Sequence, residues 1–136
     1  MIRPIVKDPL FLQQISQPAT QADLTLANDL VDTLEAHKDA CVGLAANMIG
    51  VQKRVIVIRL GLFPLVLFNP VLKDKKGPYQ AEEGCLSLAG TRTTTRYREI
   101  VVAYYDRHWQ KQEITLTDFP AQICQHELDH LEGILI

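Results

Sequence analysis

The stretch His126-Glu127-Leu128-Asp129-His130 constrains this chain more than any other part of it. Histidines four apart leave an α-helix about 40° apart around its axis, so both imidazoles share one face. Glu127 projects beside them, able to reach a water held on a shared metal. The pattern therefore demands a helix with one face turned inward. The flanking residues supply that helix. Asp118 can cap it, Pro120 suits its first turn, and Gly133 can end it in the left-handed conformation, giving a helix of about 13 residues. Two histidines and a carboxylate so placed are the working core of a metal-dependent hydrolase.

The chain has 136 residues and reads as one domain, 1–136, large enough for one core. Its net charge of -2 gives no electrostatic case for nucleic acid or an anionic membrane. No apolar run approaches the ~18 residues of a membrane span. The N-terminal Met1-Ile2-Arg3-Pro4-Ile5-Val6-Lys7-Asp8 lacks the apolar centre of a secretory signal, so a cytoplasmic enzyme is the default. Cys41, Cys85 and Cys124 are an odd and sparse set and do not read as a disulfide framework.

Residues 1–19 carry two early prolines and read as an extended entry segment. Thr20 is an N-cap candidate, with Asp23 completing a capping-box variant. Leu24, Ala27, Leu30, Val31 and Leu34 then recur at helical spacing, which predicts an amphipathic helix over 21–37. His37 falls at its C-terminus, where positive charge is favoured. Four strands follow: 54–58, 65–68 closed by Asn69-Pro70, 99–105, and the cleaner alternation of 112–117. The polar turn from Asp106 to Lys111 joins the last two as a hairpin, with His108 and Trp109 on its surface. Two helices and several strands without β-α-β alternation indicate an α+β domain, its mixed or antiparallel strands packed around the C-terminal helix.

A catalytic zinc-type site needs three protein ligands and an open position. His126 and His130 supply two. Cys124 points about 160° away from His126 around the helix, which makes it a poor third. Cys41 and Cys85 remain. Cys85 lies in Glu83-Gly84-Cys85-Leu86-Ser87, where it reads equally as a thiolate ligand or as a small buried hydrophobe. Paired cysteines of the kind that build four-ligand structural zinc sites are missing.

Three segments together resemble peptide deformylases. Gly43-Leu44-Ala45-Ala46-Asn47-Met48-Ile49-Gly50 looks like that family's first motif. Glu83-Gly84-Cys85-Leu86-Ser87 matches the second, E-G-C-L-S, and Gln125-His126-Glu127-Leu128-Asp129-His130-Leu131-Glu132-Gly133 the third. Their order and spacing also fit, and weaker similarity extends over nearly the whole chain. The resemblance implies removal of the formyl group from formyl-methionyl nascent peptides. It implies Cys85, His126 and His130 as ligands of one divalent ion, Fe2+ foremost, with Zn2+ or Ni2+ as substitutes. Glu127 would take a proton from the attacking water and pass it to the leaving amine. The backbone N–H of Leu86 would donate to the developing oxyanion. Gly43 and Leu44 would lie along the peptide-binding edge, and Arg96 would help order the substrate side.

Three departures qualify the resemblance. Met48 stands where the family's first motif has a glutamine that donates to the formyl oxygen, and a thioether cannot donate. Asn47 carries an amide one position away but, in an extended segment, would face the other side. Cys41 replaces a common glycine. Three residues follow Gly133 where many relatives continue, which leaves docking on the ribosome in doubt. The competing reading is a weakly active or non-catalytic paralogue that binds metal and N-terminal peptides, or one acting on another N-acyl substrate. Retention of Glu127 argues against a purely structural site.

Overall fold

The β-branched run Val55-Ile56-Val57-Ile58 sits at the centre of the molecule, each residue fully buried. A strand buried on both faces has no need of polar alternation, which is why this one reads as a continuous apolar run. The computed structural model describes residues 1–85 and 88–135. Its elements are α1 (Pro9–Leu12), α2 (Leu26–Ala36), β1 (Gly43–Ala45), β2 (Val55–Leu60), β3 (Phe63–Cys85), β4 (Leu88–Tyr105), β5 (Lys111–Thr117) and α3 (Asp118–Leu131), with 3-10 turns at Gln21–Asp23 and Ala46–Ile49.

The five strands form one antiparallel sheet in the order β1-β2-β3-β4-β5, so every strand pairs with its sequence neighbour. Helices α2 and α3 both pack on β1 and β2. Leu30 and Leu34 of α2, Cys124 and Leu131 of α3, and Leu67, Phe68, Ile100 and Val102 of the sheet form the core. The architecture is the expected α+β arrangement, with the His126–His130 helix packed against the sheet.

Several local expectations change. The entry segment holds a short helix, α1, because the Asp8 carboxylate accepts from the Leu10 N–H at 3.0 Å and Pro9 fits the first turn. The helix expected over 21–37 is split. Residues 21–23 form a 3-10 turn and α2 proper starts at Leu26. Only the carboxylate half of the capping box has a short bond, Thr20 N–H to Asp23 Oδ2 at 2.8 Å. His37 ends α2 with Nδ1 3.0 Å from the Thr33 carbonyl.

The largest difference lies in β3 and β4. Asn69-Pro70 does not end the strand. It forms a bulge, visible as a register shift between Phe68 and Val71. Asn69 takes φ +50, and its amide exchanges two bonds with Ala19, at 2.8 and 2.9 Å, which ties the N-terminal segment to the sheet. Beyond the bulge the strands continue as an exposed ribbon. Lys75 lies over the Tyr97 ring and Arg98 over the Tyr79 ring, at 4.6 and 4.7 Å.

Trp109 also departs from expectation. It is half-buried, stacked on Tyr105 at 4.9 Å and edge-on to Phe68 at 5.8 Å, because the hairpin turn folds back over the sheet. His108 is exposed, as expected. At the start of α3, Thr117 holds the cap position and Asp118 opens the helix at φ +53. The chain passes from β5 into α3 without a linker, and Asp is among the few residues that tolerate that conformation.

Gly133 does end α3 as expected, at φ +74. Its N–H bonds to the His130 carbonyl at 3.1 Å, and the Ile134 N–H to that of Asp129 at 3.0 Å, a Schellman closure. A Cβ here would also stand 2.2 Å from the Gln13 carbonyl oxygen. Gly133→Ala should therefore cost more than the about 1–2 kcal/mol of a left-handed alanine. An unchanged urea midpoint for that variant would contradict this account.

Candidate metal centre

Residues two apart on a strand share a face, so Glu83 and Cys85 leave the end of β3 in the same direction, toward α3. Four-residue spacing on α3 turns His126 and His130 to meet them. Cys85 Sγ lies 3.2 Å from His130 Nε2, and His126 Nε2 lies 3.3 Å from His130 Nε2. All three donor atoms fall within 4.8 Å of one another. A tetrahedral ion with bonds of about 2.0–2.3 Å needs donors roughly 3.5 Å apart, so the set fits such an ion. One thiolate and two imidazoles suit iron, nickel and zinc alike.

A layer of polar groups holds the ligands in place. His126 Nδ1 stands 2.8 Å from Glu83 Oε1, which leaves Nε2 turned to the other ligands. Arg96 grips Glu83 with two parallel bonds from one edge of its guanidinium, Nε to Oε2 at 2.9 Å and Nη2 to Oε1 at 2.7 Å, and its Nη1 reaches Asp129 Oδ2 at 2.6 Å. Gln122 adds a fourth bond, Nε2 to Glu83 Oε2 at 3.0 Å. Burial pushes the Glu83 carboxyl up, but the bonds from His126 and Arg96 outweigh it and hold it down at about 2. Burial likewise opposes charge on His126, yet Cys85 and Glu83 raise it to about 10. The negative groups that would keep a proton there suit a cation equally well. His130 is pushed down to about 3, first by burial and then by His126, and stays a neutral imidazole.

Glu127 faces the same point. It is 4% exposed, its Oε1 has no hydrogen-bond partner among the described residues, and burial lifts its carboxyl to about 7. A Cβ on Gly43 would come within 2.9 Å of Glu127 Oε2 and 2.7 Å of Ile123. Glycine at 43 is thus what lets β1 close on this carboxylate.

A cavity of about 520 Å3 opens above the cluster. Cys41, Gly43 and Met48 line it, with Glu83 and Cys85 of β3 and Phe119, Ile123, His126 and Glu127 of α3. Of the residues singled out from the sequence, Gly43, Met48, Cys85, His126 and Glu127 line this space. Leu44 does not. It is fully buried in the core, paired with Val57. Arg96, expected on the substrate side, is 3% exposed and sits behind Glu83, away from the cavity lining. Leu86 lies outside the described residues.

The first-motif segment is not extended beyond Ala45. In the 3-10 turn successive side chains diverge by about 120°. Met48 turns to the cavity with its sulfur 3.4 Å from the Ala45 N–H, while Asn47 turns to α3 and donates to the His130 carbonyl at 2.9 Å. Asn47 therefore does not replace the missing glutamine. Cys41 places its sulfur on the Gly43 carbonyl at 2.9 Å, and Cys124 is fully buried away from the cavity. Sequence reasoning assigned no role to Glu83 or Gln122. The two-residue spacing from Glu83 to Cys85 and the four-residue spacing from Gln122 to His126 were the available signals.

Comparison with known proteins bears on the whole chain. The family described as polypeptide deformylase matches residues 2–136. A peptide deformylase of Clostridium beijerinckii is 53% identical over 136 residues, covering 100% of both chains. The crystal structure of a peptide deformylase from Legionella pneumophila superposes with a TM-score of 0.89 at 36% identity, over 99% of this chain and 83% of that one. The Met-Ala-Ser-bound class I type b peptide deformylase from Acinetobacter baumannii gives 0.87 at 29% identity, over 99% and 97%. Likeness of this extent, in sequence and backbone together, leaves one placement: the chain belongs to the polypeptide deformylase family.

Proposed function

We propose that this chain is a working deformylase in which Met48 is tolerated. Its reaction is the hydrolysis of the formyl amide at the N-terminal methionine of formyl-methionyl peptides. The observation that carries the reading is the convergence of Cys85, His126 and His130 beside a buried, unpartnered Glu127 that lines an open cavity. Cys85, His126 and His130 would hold one divalent ion, with Fe2+ the first choice from family resemblance and Zn2+ or Ni2+ able to occupy the same donors. When bound, such an ion polarises the formyl carbonyl and brings the pKa of a water to about 7.

The protein's own groups do the rest. The Glu127 carboxylate, which has no side-chain hydrogen bond among the described residues to compete for it, takes the proton of the attacking water. Oxygen adds to the formyl carbon, the C–N bond breaks, and Glu127 returns the proton to the departing amine nitrogen. Formate and a free N-terminal amine result. The Leu86 N–H is our candidate donor to the developing oxyanion, and Gly43 the point where the peptide backbone passes. Phe119 and Ile123 offer an apolar lining suited to a methionine side chain. The working compartment we assign is the cytoplasm, where nascent chains emerge. No helix among the described residues is long and apolar enough to cross a membrane.

The test is hydrolysis of formyl-Met-Ala-Ser by anaerobically prepared, iron-loaded protein, measured beside Met48→Gln. Turnover by the native protein is expected, with Met48→Gln changing kcat/KM far less than the about 10²–10³ that one oxyanion donor is worth elsewhere. An inert native protein revived by Met48→Gln would sink the proposal and favour a binding or altered-substrate role.

A further inference from the structure

We infer that Asn47 is a positioning residue for His130, its amide oxygen accepting the hydrogen on His130 Nδ1 across one enclosed water. The inference rests on the metal-site reading above. The two histidines differ in how their outer nitrogens are held. His126 has its outer nitrogen on Glu83 at 2.8 Å. His130 is fully buried, with Nε2 turned to Cys85 and His126, yet its Nδ1 has no partner among the described residues. An imidazole that ligates through Nε2 carries its hydrogen on Nδ1, and that hydrogen needs an acceptor to fix the ring's tautomer and orientation.

The acceptor stands on the residue already bound to His130. Asn47 is fully buried and donates from Nδ2 to the His130 carbonyl at 2.9 Å, across 83 residues of chain. The other end of the same amide, Oδ1, has no partner either. One orphan donor and one orphan acceptor therefore belong to two residues already joined by one hydrogen bond. Buried polar groups are seldom left unpaired, and a polar pair of this kind is where an enclosed water resides when the gap is too wide for direct contact. The 3-10 turn explains how the sequence achieves this. It sends Met48 into the cavity and its neighbour Asn47 under α3. On this reading the two imidazoles are oriented by different chemistries, a carboxylate for His126 and a neutral amide for His130.

The experiment uses the full chain loaded with zinc as the probe. Long-range proton–nitrogen NMR should show two slowly exchanging imidazole N–H protons, one from each ligand. In Asn47→Leu the His130 signal should vanish into solvent exchange while that of His126 persists. Zinc release to a competing chelator should accelerate by about 10–100-fold. Asn47→Asp keeps an acceptor oxygen but no donor, and should restore the His130 signal and slow release. A native protein without a protected His130 N–H overturns the inference, and so does Asn47→Leu with native signals and release. Aspartate failing as badly as leucine also overturns it, by making the tether to the His130 carbonyl the whole effect. A native protein that takes up no zinc at these ligands would instead bring down the metal-site reading itself.

Discussion

Glu127→Ala should leave a folded protein that keeps its metal and loses about 10²–10⁴-fold or more in kcat, the scale of a positioned acid–base group. The residue contributes nothing to the ligand set, so metal content should stay at the native level. Stability should not fall. A buried carboxylate with an unpartnered oxygen is a burden to the fold, and its removal should leave the melting temperature unchanged or higher. The pH dependence follows from the same burial. A carboxyl lifted to about 7 acts as a base only when ionised, so the rate should climb with pH through that value, and a bound cation would draw the climb downward. Steady-state kinetics with metal analysis on the same samples decides the matter. Native turnover in the alanine variant would remove Glu127 from the chemistry.

Arg96→Leu should produce the largest loss of stability, about 3–5 kcal/mol, because it strands the Glu83 carboxylate in a buried position. The loss should also loosen His126, since Glu83 holds that ring. The sign of the acid dependence is fixed. Glu83 is held down at about 2 against an ordinary 4.5, so its contribution is fully present above 4.5 and fades as pH falls from there toward 2. Without Arg96 the folded-state value rises, so the fade should be smaller and should finish at a higher pH. Urea titrations at neutral and acid pH read both effects. A midpoint equal to the native one at neutral pH would show that the guanidinium is dispensable. The position of Arg96 behind Glu83 also means that KM for peptide should move less than metal retention does.

The two ends of the site differed in how much the sequence disclosed. His126, Glu127 and His130 lie within five residues, where helical spacing alone fixes their relative directions. The partner of His126 is 43 residues away and that of Glu83 a further 13 along, so their meeting depends on strand pairing. β3 hid the register. Asn69-Pro70 and Gly77-Pro78 read as breakers, and Lys73-Asp74-Lys75-Lys76 lacks apolar alternation. A ribbon exposed on both sides has no core to impose that alternation, and prolines are accepted where a bulge or an exposed stretch spares their missing N–H. Where the Leu44 and Arg96 side chains point was hidden for a related reason. Proximity to a motif in sequence does not say which face of a strand, or which side of a carboxylate, a residue will occupy. Met48 and Asn47 were legible as chemistry, a lost donor and a nearby amide, but not as geometry, because a 3-10 turn diverges neighbours differently from an extended strand.

The meander order of the sheet also shapes how the molecule assembles. Hairpins between sequence neighbours close short loops at small entropic cost, so the sheet can grow strand by strand from local contacts. The ligands obey a different rule. Cys85 and His130 are 45 residues apart and meet only when α3 docks on finished strands. A chain arrested with its sheet formed but α3 undocked would hold most of its secondary structure while Cys85 stayed apart from the two histidines. Assembly of the three-donor site is therefore a late event on the folding path and marks its completion.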